Sequence, residues 1–261
     1  MGRGAGGGSR FLLAFAFVAV CVLAGCHRPQ DPRLQGYVEG EFVYVASPYG
    51  GALESLFVRR GAEVKAGDPL FVLDSAAEKA ARDQARAALE LSEKDYARME
   101  KLARANLIAM QELDRARSTR DQDRERLAKA EWDLAQKRQS APQAGLVFDT
   151  LFRQGEWIAP GRPVVALLPP SNVKVRAFVP ETEIAKFHPG DAVRVNVDGL
   201  AAPVAGKISF ISPRAEYTPP VIYSRESRDK LVFMIEIVFE SGAGAGLHPG
   251  QPVDVQLGTK S

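Results

Sequence analysis

The chain has 261 residues, of which 46% are hydrophobic and 25% are charged, a balance typical of a globular, water-soluble protein. Its formal net charge is only +2 at pH 7, so it lacks the excess of basic residues that binding to nucleic acid requires. Both cysteines lie within the first 26 residues and there are only three histidines, which excludes a disulfide framework and a cysteine-rich zinc site in the body of the chain.

The N-terminus is predicted to be a secretion signal. Two arginines precede an apolar run, 11–23, that is shorter than the roughly 20 residues of a spanning helix but suits a signal peptide. Leu-Ala-Gly-Cys at 23–26 resembles the bacterial lipobox, so we expect residues 1–25 to be cleaved and Cys26 to be lipidated. A plain signal peptide or an uncleaved anchor stays open as an alternative. Either way we expect a periplasmic protein, with lipid anchoring in the inner membrane favoured over the outer membrane.

A long helical segment follows the first third of the chain. No glycine or proline occurs between Pro69 and Pro142, although the chain holds 23 glycines and 17 prolines. Segment 75–140 is rich in strong helix formers, and its many acid-before-base pairs at a spacing of four support an exposed helix. Near its middle, Asn106 interrupts an apolar run and favours a left-handed turn. The pattern predicts an antiparallel hairpin with two arms of about 30 residues, each roughly 45 Å long.

Heptad spacing indicates that the two arms pair as a coiled coil. Leu113, Leu127 and Leu134 share one phase of the second arm, although Arg120 also falls on this seam. The first arm carries a matching stripe of Ala85, Leu89, Tyr96, Met99 and Ala103.

The flanks of the hairpin repeat each other. Residues 51–73 align without a gap to 145–167, and the matches include glycines suited to turns at positive φ. We therefore expect half-motifs at 47–74 and 141–170 to close into one small lipoyl-like β-sandwich.

The C-terminal part, 171–261, is predicted to be an antiparallel β-barrel. Its candidate strands are 174–179, 192–197, 206–211 and 230–240, with a short helix at 180–187 that Glu181 and Glu183 would open. The motif HPGxxVxV occurs at 188 and again at 248, and its Pro-Gly pair fits a turn that leads into a strand. Residues 26–46 read as a linker and a first strand, and 36–46 is a candidate for completing a partly open barrel. The expected fold class is mainly β, with a β-sandwich split by a long α-helical hairpin.

This order of elements resembles the periplasmic adaptors, also called HlyD-type membrane fusion proteins, from about residue 36 to residue 257. Segments 211–219 and 228–233 look most like adaptors of ABC-type exporters. The resemblance implies an inner-membrane transporter and an outer-membrane channel as partners, self-association into a ring of about six copies, and no cofactor. It also implies a multi-component efflux or secretion system as the setting.

The resemblance implies a channel contact at the hairpin tip. The family motif there is Arg, Leu four residues later and Ser seven residues beyond that. Arg98 and Leu102 match this motif, while Ala109 stands at the serine position, which puts the contact in doubt. The alternative is that Arg98 is a solvated residue beside a seam leucine.

Other chemistry is less favoured by the sequence. A lipoyl or biotinyl carrier would need a tight turn at Lys79, but a long helical segment begins there. His188 and His248 lack accompanying ligands for a metal, and no catalytic set of residues is found. Trp132 and Trp157 suit packing or an interface better than ligand stacking. The competing function is a periplasmic lipoprotein scaffold with no role in transport.

Overall fold

The computed structural model describes residues 33–217, 231–240, 244 and 246–258. The predicted signal peptide, Cys26 and, from the exporter-like segments, residues 218–219 and 228–230 lie outside this range. The strands in chain order are β1 (Leu34–Gly40), β2 (Val43–Ala46), β3 (Gly51–Leu56), β4 (Glu63–Val64), β5 (Pro69–Leu73), β6 (Arg138–Ser140), β7 (Gly145–Thr150), β8 (Trp157–Ile158), β9 (Pro163–Leu168), β10 (Val173–Pro180), β11 (Ala192–Val197), β12 (Val204–Tyr217), β13 (Leu231–Phe239) and β14 (Pro252–Leu257). The helices α1 (Ala76–Arg104) and α2 (Met110–Ala135) lie between β5 and β6.

The repeated flanks of the hairpin form one β-sandwich. One sheet, which we call the first sheet, has the strand order β2-β9-β7-β4, and the second sheet has the order β6-β5-β3-β8. Each sheet therefore takes strands from both sides of the hairpin. The core between the sheets includes Leu53, Phe71, Val147 and Leu167, all fully buried. Because this core contains side chains from both half-motifs, burial of apolar surface holds the two halves together.

Equivalent glycines in the two half-motifs adopt the same backbone conformation. Gly61 and Gly155 have φ of 82° and 90°, a region that a side chain with a Cβ rarely enters. Both turns lead into a short strand, so the sequence repeat marks a repeat of local structure.

The C-terminal strands close into a six-stranded barrel with the order β1-β10-β13-β12-β11-β14. The predicted antiparallel barrel is confirmed, and β1, which begins just before the candidate segment 36–46, closes it by pairing with both β10 and β14. Segment 36–46 contains parts of two strands, of which β1 belongs to the barrel and β2 to the sandwich. The chain passes from the barrel to the sandwich after Gly40, the last residue of β1. Only glycine fits there without a shift of its neighbours, because a Cβ would lie 2.8 Å from a methyl carbon of Leu168.

The predicted helix at 180–187 is reduced to a single 3₁₀ turn, Ile184–Lys186. Pro180 still belongs to β10, and Glu183 makes no side-chain capping bond at the start of the turn. Glu181 and Glu183 therefore do not open an α-helix as expected. The buried side chain of Phe187 draws the chain back to the barrel before a second turn can form.

The hairpin has the predicted form. Helix α1 has 29 residues and α2 has 26, so each arm is about 40 Å long at 1.5 Å per residue. Asn106 adopts a left-handed conformation with φ of 57° and allows the chain to reverse direction. Ala109 is extended and precedes the first turn of α2.

Candidate interaction surfaces

The seam of the hairpin is apolar at its ends and polar in its middle. Leu113, near the tip, is 7% exposed, and Leu127 and Leu134 are half-buried towards the sandwich. Between them, the Arg120 guanidinium lies 4.2 Å from the ring centroid of Tyr96 on the facing helix. This cation–π contact explains how an arginine is accommodated at a seam position.

Asp123 adds a buried charge to the same polar section. Its side chain is 8% exposed, and Oδ1 accepts a hydrogen bond of 2.8 Å from the Arg126 guanidinium, one turn later on α2. Ser92, on α1, is also buried and donates a hydrogen bond to the carbonyl of Leu89. The sequence analysis did not find this feature, because an aspartate on a highly charged helix reads as a surface residue.

The two flanks of the hairpin differ. On one flank, ion pairs join the helices: Arg86 to Glu131 at 3.1 Å and Arg124 to Glu93 at 3.9 Å. At 100° per residue, Ala88 and Leu91 project from the opposite flank of α1. There they line an open groove of about 400 Å³ that also contains Ser92, Asp95, Ala116, Thr119 and Asp123. The side chain of Leu91 remains 62% exposed in this groove.

The predicted motif residues lie close to the tip, and their role stays a prediction. Arg98 is exposed and pairs with Asp95 at 3.1 Å, one turn before it on α1. Leu102 is half-buried one turn nearer the tip, and Ala109 is exposed where α2 begins. Arg98 also lines the groove that reaches Glu112 on α2.

Two tip residues that the sequence did not single out have the most exposed large hydrophobic side chains of the hairpin. Leu107 is 69% exposed and Met110 is 63% exposed. We call Leu107 and Met110 the apolar tip. The sequence already indicated an exposed apolar surface here, because an apolar run lies at the predicted turn. A loop that only contacts water would be expected to carry polar residues.

The root of the hairpin is held by the loop between β2 and β3. The hydroxyl of Ser47 donates to the carbonyl of Gln136 at 2.8 Å, and the hydroxyl of Tyr49 donates to Asp133 Oδ1 at 2.6 Å. The Tyr49 ring also meets Trp132 edge-on, with centroids 6.1 Å apart. Trp132 therefore packs on Tyr49 at one edge, while its side chain is 55% exposed.

Lys137 is the buried centre of this root. Its Nζ donates to the carbonyls of Gly50 at 2.7 Å and Asp74 at 3.1 Å, and pairs with Glu78 at 2.8 Å. Gly50 and Asp74 belong to the first half-motif and Glu78 to the first turn of α1, while Lys137 itself follows the end of α2. One ammonium group thus connects the sandwich to both ends of the hairpin.

The bonds at the root shift the pKa values of Asp133 and Tyr49, and the bond to Asp133 also raises the pKa of Lys129. Lys129 and Tyr49 hydrogen-bond Asp133 and lower the pKa of its carboxyl, with Lys129 the larger cause. The same bond to the Asp133 carboxylate raises the pKa of Tyr49. Both shifts favour the bonded form, a carboxylate facing a protonated hydroxyl.

The residues considered for other chemistry do not come together. Lys79 is exposed in the first turn of α1. A carrier lysine would instead lie in a tight turn between two strands. His188 and His248 lie in separate turns, where their backbone N–H groups donate to Asp191 and Gln251. Trp157 is 72% exposed on β8. Within the described ranges there is no group of three or more residues suited to hold a metal ion.

Comparison with curated sequences shows relatives along almost the whole chain, although no family model matches it. The UPF0194 membrane protein YbhG of Salmonella gallinarum is 28% identical, and the alignment covers 94% of this chain and 96% of the relative. The UPF0194 membrane protein of Enterobacter sp. is 27% identical over 86% of this chain and 88% of its own length. Among the described helices, none is long and apolar enough to cross a membrane.

Solved structures share the arrangement of sandwich, hairpin and barrel. A MacA-MexA chimeric protein, which contains the Pseudomonas aeruginosa MexA α-hairpin domain, matches with a TM-score of 0.72 and 19% identity, covering 87% of this chain and 80% of that chain. The predicted resemblance to the periplasmic adaptors is confirmed. The membrane fusion protein Spr0693 of Streptococcus pneumoniae, with a TM-score of 0.65 and 21% identity, covers 88% of this chain and all of its own. At these identities the adaptors share their fold with this chain, and its own partners must be argued from its own surfaces.

Proposed function

We propose that the chain is the periplasmic adaptor subunit of a multi-component efflux or secretion system. It would link an inner-membrane transporter, with an ABC-type exporter favoured, to an outer-membrane channel. The observation that carries this proposal is a β-sandwich and barrel from which a hairpin of about 40 Å projects with an exposed apolar tip. A projecting rod with an apolar end is suited to reach a partner that the body cannot touch.

The position of the predicted lipid anchor supports this orientation. Cys26 lies only seven residues before Arg33, the first described residue, and seven residues span at most about 25 Å. Strand β1 starts beside Val255 and ends at Gly40, next to the sandwich, so its first residue lies at the barrel end away from the hairpin. An acylated Cys26 would therefore hold this barrel end at the inner membrane and leave the tip pointing away.

The flanks of the hairpin support side-by-side packing of several copies. Their charged groups are mostly exposed, as expected for contacts that form and adjust in water. The two flanks of one hairpin differ, and unlike surfaces that meet head to tail generate rings. A ring of about six copies, as the family resemblance implies, would enclose a passage, and the role of the chain would be conductive rather than enzymatic.

We propose that the outer contact involves the apolar tip together with Arg98 and Leu102. Ala109 lacks the hydroxyl of the family motif, so the contact would rest on burial of apolar surface at Leu107 and Met110.

The test is a double substitution of the apolar tip, Leu107→Asp and Met110→Asp, in cells that depend on the system for resistance to a toxic compound. Burying two carboxylates in an apolar contact is costly, so the variant should be as susceptible as a strain lacking the gene. The matched control is Leu151→Asp with Leu200→Asp, which alters two exposed leucines outside the hairpin.

Deletion of residues 81–136 gives a second arm to this test. If resistance to every tested compound survives both the tip substitution and the deletion, the conduit function is wrong. Intact anchoring and expression in that case would favour a lipoprotein scaffold.

A further inference from the structure

A cleft of about 640 Å³ lies between the first sheet of the sandwich and the barrel. This volume falls within the range of roughly 300–1,000 Å³ typical of ligand sites, which often occur where two domains meet. Most of its lining is apolar, with Leu146 and Phe148 from β7 on one side and Val173, Leu247 and Pro249 from the barrel side on the other.

The cleft is preformed, because the two connections between barrel and sandwich are tied to each other. The backbone N–H of Glu41 donates to the carbonyl of Asn172, and the Asn172 side-chain amide donates back to the carbonyl of Glu41, both at 3.0 Å. Phe42 packs on the barrel core and lies 4.3 Å from Phe148, measured between ring centroids. These contacts fix the wall of the cleft without a ligand, so binding would not have to order it.

Two side chains of the cleft keep a large apolar surface in water. Leu146 is 36% exposed and Phe148 is 42% exposed on the outer face of β7, while Val147 between them is fully buried in the sandwich core. A ligand that covered them would remove apolar surface from water at a site that is already shaped.

The rim of the cleft favours a positive charge. Glu63 and Asp68 carry two carboxylates, Lys65 carries one ammonium, and His248 is the remaining titratable group. Within the part of the chain that the structure describes, neither carboxylate has an ion pair; Asp68 accepts only a backbone hydrogen bond, from Lys65 at 2.7 Å. The carboxylates at the rim therefore outnumber its single ammonium group by one.

We propose that this cleft binds a small amphiphile that combines an apolar body with a cationic group. The apolar body would lie against Leu146 and Phe148, and the cationic group would lie at the rim beside Glu63. This site goes beyond the proposed function and does not rest on it, because binding can be measured whether or not the chain takes part in export.

The test uses two probes of nearly the same shape and opposite charge, tetraphenylphosphonium and tetraphenylborate. A single cysteine is placed in the cleft of the full, membrane-bound chain by Leu146→Cys, and its rate of reaction with a water-soluble thiol reagent is followed. Outside the predicted signal peptide, the parental chain contains only Cys26. Its labelling rate therefore gives the background for the introduced cysteine. Phe210→Cys, on an exposed part of β12, is the matched control.

At equal free concentrations, tetraphenylphosphonium should slow labelling of the Leu146→Cys variant roughly tenfold more than tetraphenylborate does, corresponding to about 1.4 kcal/mol. Labelling of the Phe210→Cys variant should be unchanged by either probe. Adding Glu63→Gln should remove most of the difference between the probes while leaving apolar protection in place.

A second reporter, His248→Cys, covers the case in which the first variant does not fold, since the His248 side chain is exposed. Equal protection by both probes, no protection in either reporter, or equal protection of the Phe210→Cys control would each overturn the proposal.

Discussion

Lys137 is the residue on which the joint between hairpin and sandwich depends most. Its ammonium is nearly fully buried and is bonded to two carbonyls and to Glu78. We expect Lys137→Met to lower the free energy of unfolding by about 3 kcal/mol, because it leaves a carboxylate and two carbonyls without their partner. The measurement is urea unfolding followed by circular dichroism.

Lys79 provides the matched control for this substitution. It lies in the first turn of α1, next to Glu78, but its side chain is exposed. Lys79→Met should change stability by no more than about 0.5 kcal/mol. Equal effects of the two substitutions would show that the buried bonds of Lys137 do not hold the root.

The Tyr49–Asp133 bond gives the root a predictable pH dependence. The pKa of Asp133 is lowered in the folded chain, so its contribution is present above the unfolded pKa of a carboxyl and is lost as the pH falls through the lower folded value. The pKa of Tyr49 is raised, so its contribution is present below the unfolded pKa of a tyrosine and is lost as the pH rises through the folded value.

Comparison with Tyr49→Phe checks this expectation by thermal unfolding at a series of pH values. In the parental chain, stability should fall at alkaline pH as the Tyr49 hydroxyl ionises. The phenylalanine variant should lack this fall, because it has no hydroxyl to ionise. An unchanged alkaline profile in the variant would contradict the assignment.

The helical hairpin is stabilised at its far end by a small number of apolar contacts. Leu113 is the buried leucine nearest the tip, while the seam between it and Leu127 is polar. We expect Leu113→Ala to destabilise the hairpin by about 2–3 kcal/mol through loss of buried apolar surface. Leu91→Ala, at a position 62% exposed, should cost less than about 0.5 kcal/mol.

Hydrogen exchange resolved along the hairpin measures this directly. In the Leu113→Ala variant, amides near the tip should exchange faster while those near the root keep their protection, because the polar middle section separates the two apolar ends. Uniformly faster exchange along both helices would instead indicate that the hairpin unfolds as one unit.

The hairpin could be predicted from sequence in outline but not in its interior. The absence of glycine and proline and the heptad phase of the leucines are local properties, and they fixed both arms and the turn at Asn106. Burial of Asp123 depends on where the facing helix lies, which composition does not reveal. The open groove beside Leu91 was hidden for the same reason.

At the scale of the whole molecule, the sandwich is one unit made from two distant segments. Its core draws on both half-motifs and on no residue of α1 or α2. We therefore expect deletion of residues 81–136 to remove most of the helical signal in circular dichroism while the β-sheet signal and its cooperative thermal transition remain. Loss of that transition would show that the hairpin is needed to fold the body.

The same scale shows where sequence reasoning failed. The repeat of turn glycines such as Gly61 and Gly155 predicted the split sandwich, because a positive φ imposes the same local constraint twice. The run 36–46 gave no sign that it serves two domains, since the break after Gly40 comes from close packing against Leu168 and Pro249. The cleft between barrel and sandwich could not be foreseen either, because its walls lie far apart in sequence.

The central claim is that the apolar tip reaches a partner in the outer membrane while the barrel end stays at the inner membrane. It is tested most directly by a photoreactive amino acid placed at Leu107 in living cells, with Leu200 on the barrel as the reference position. We predict a covalent adduct between residue 107 and an outer-membrane channel protein that is absent from residue 200. Adducts of residue 107 with inner-membrane proteins alone, or the same adducts from both positions, would contradict the account.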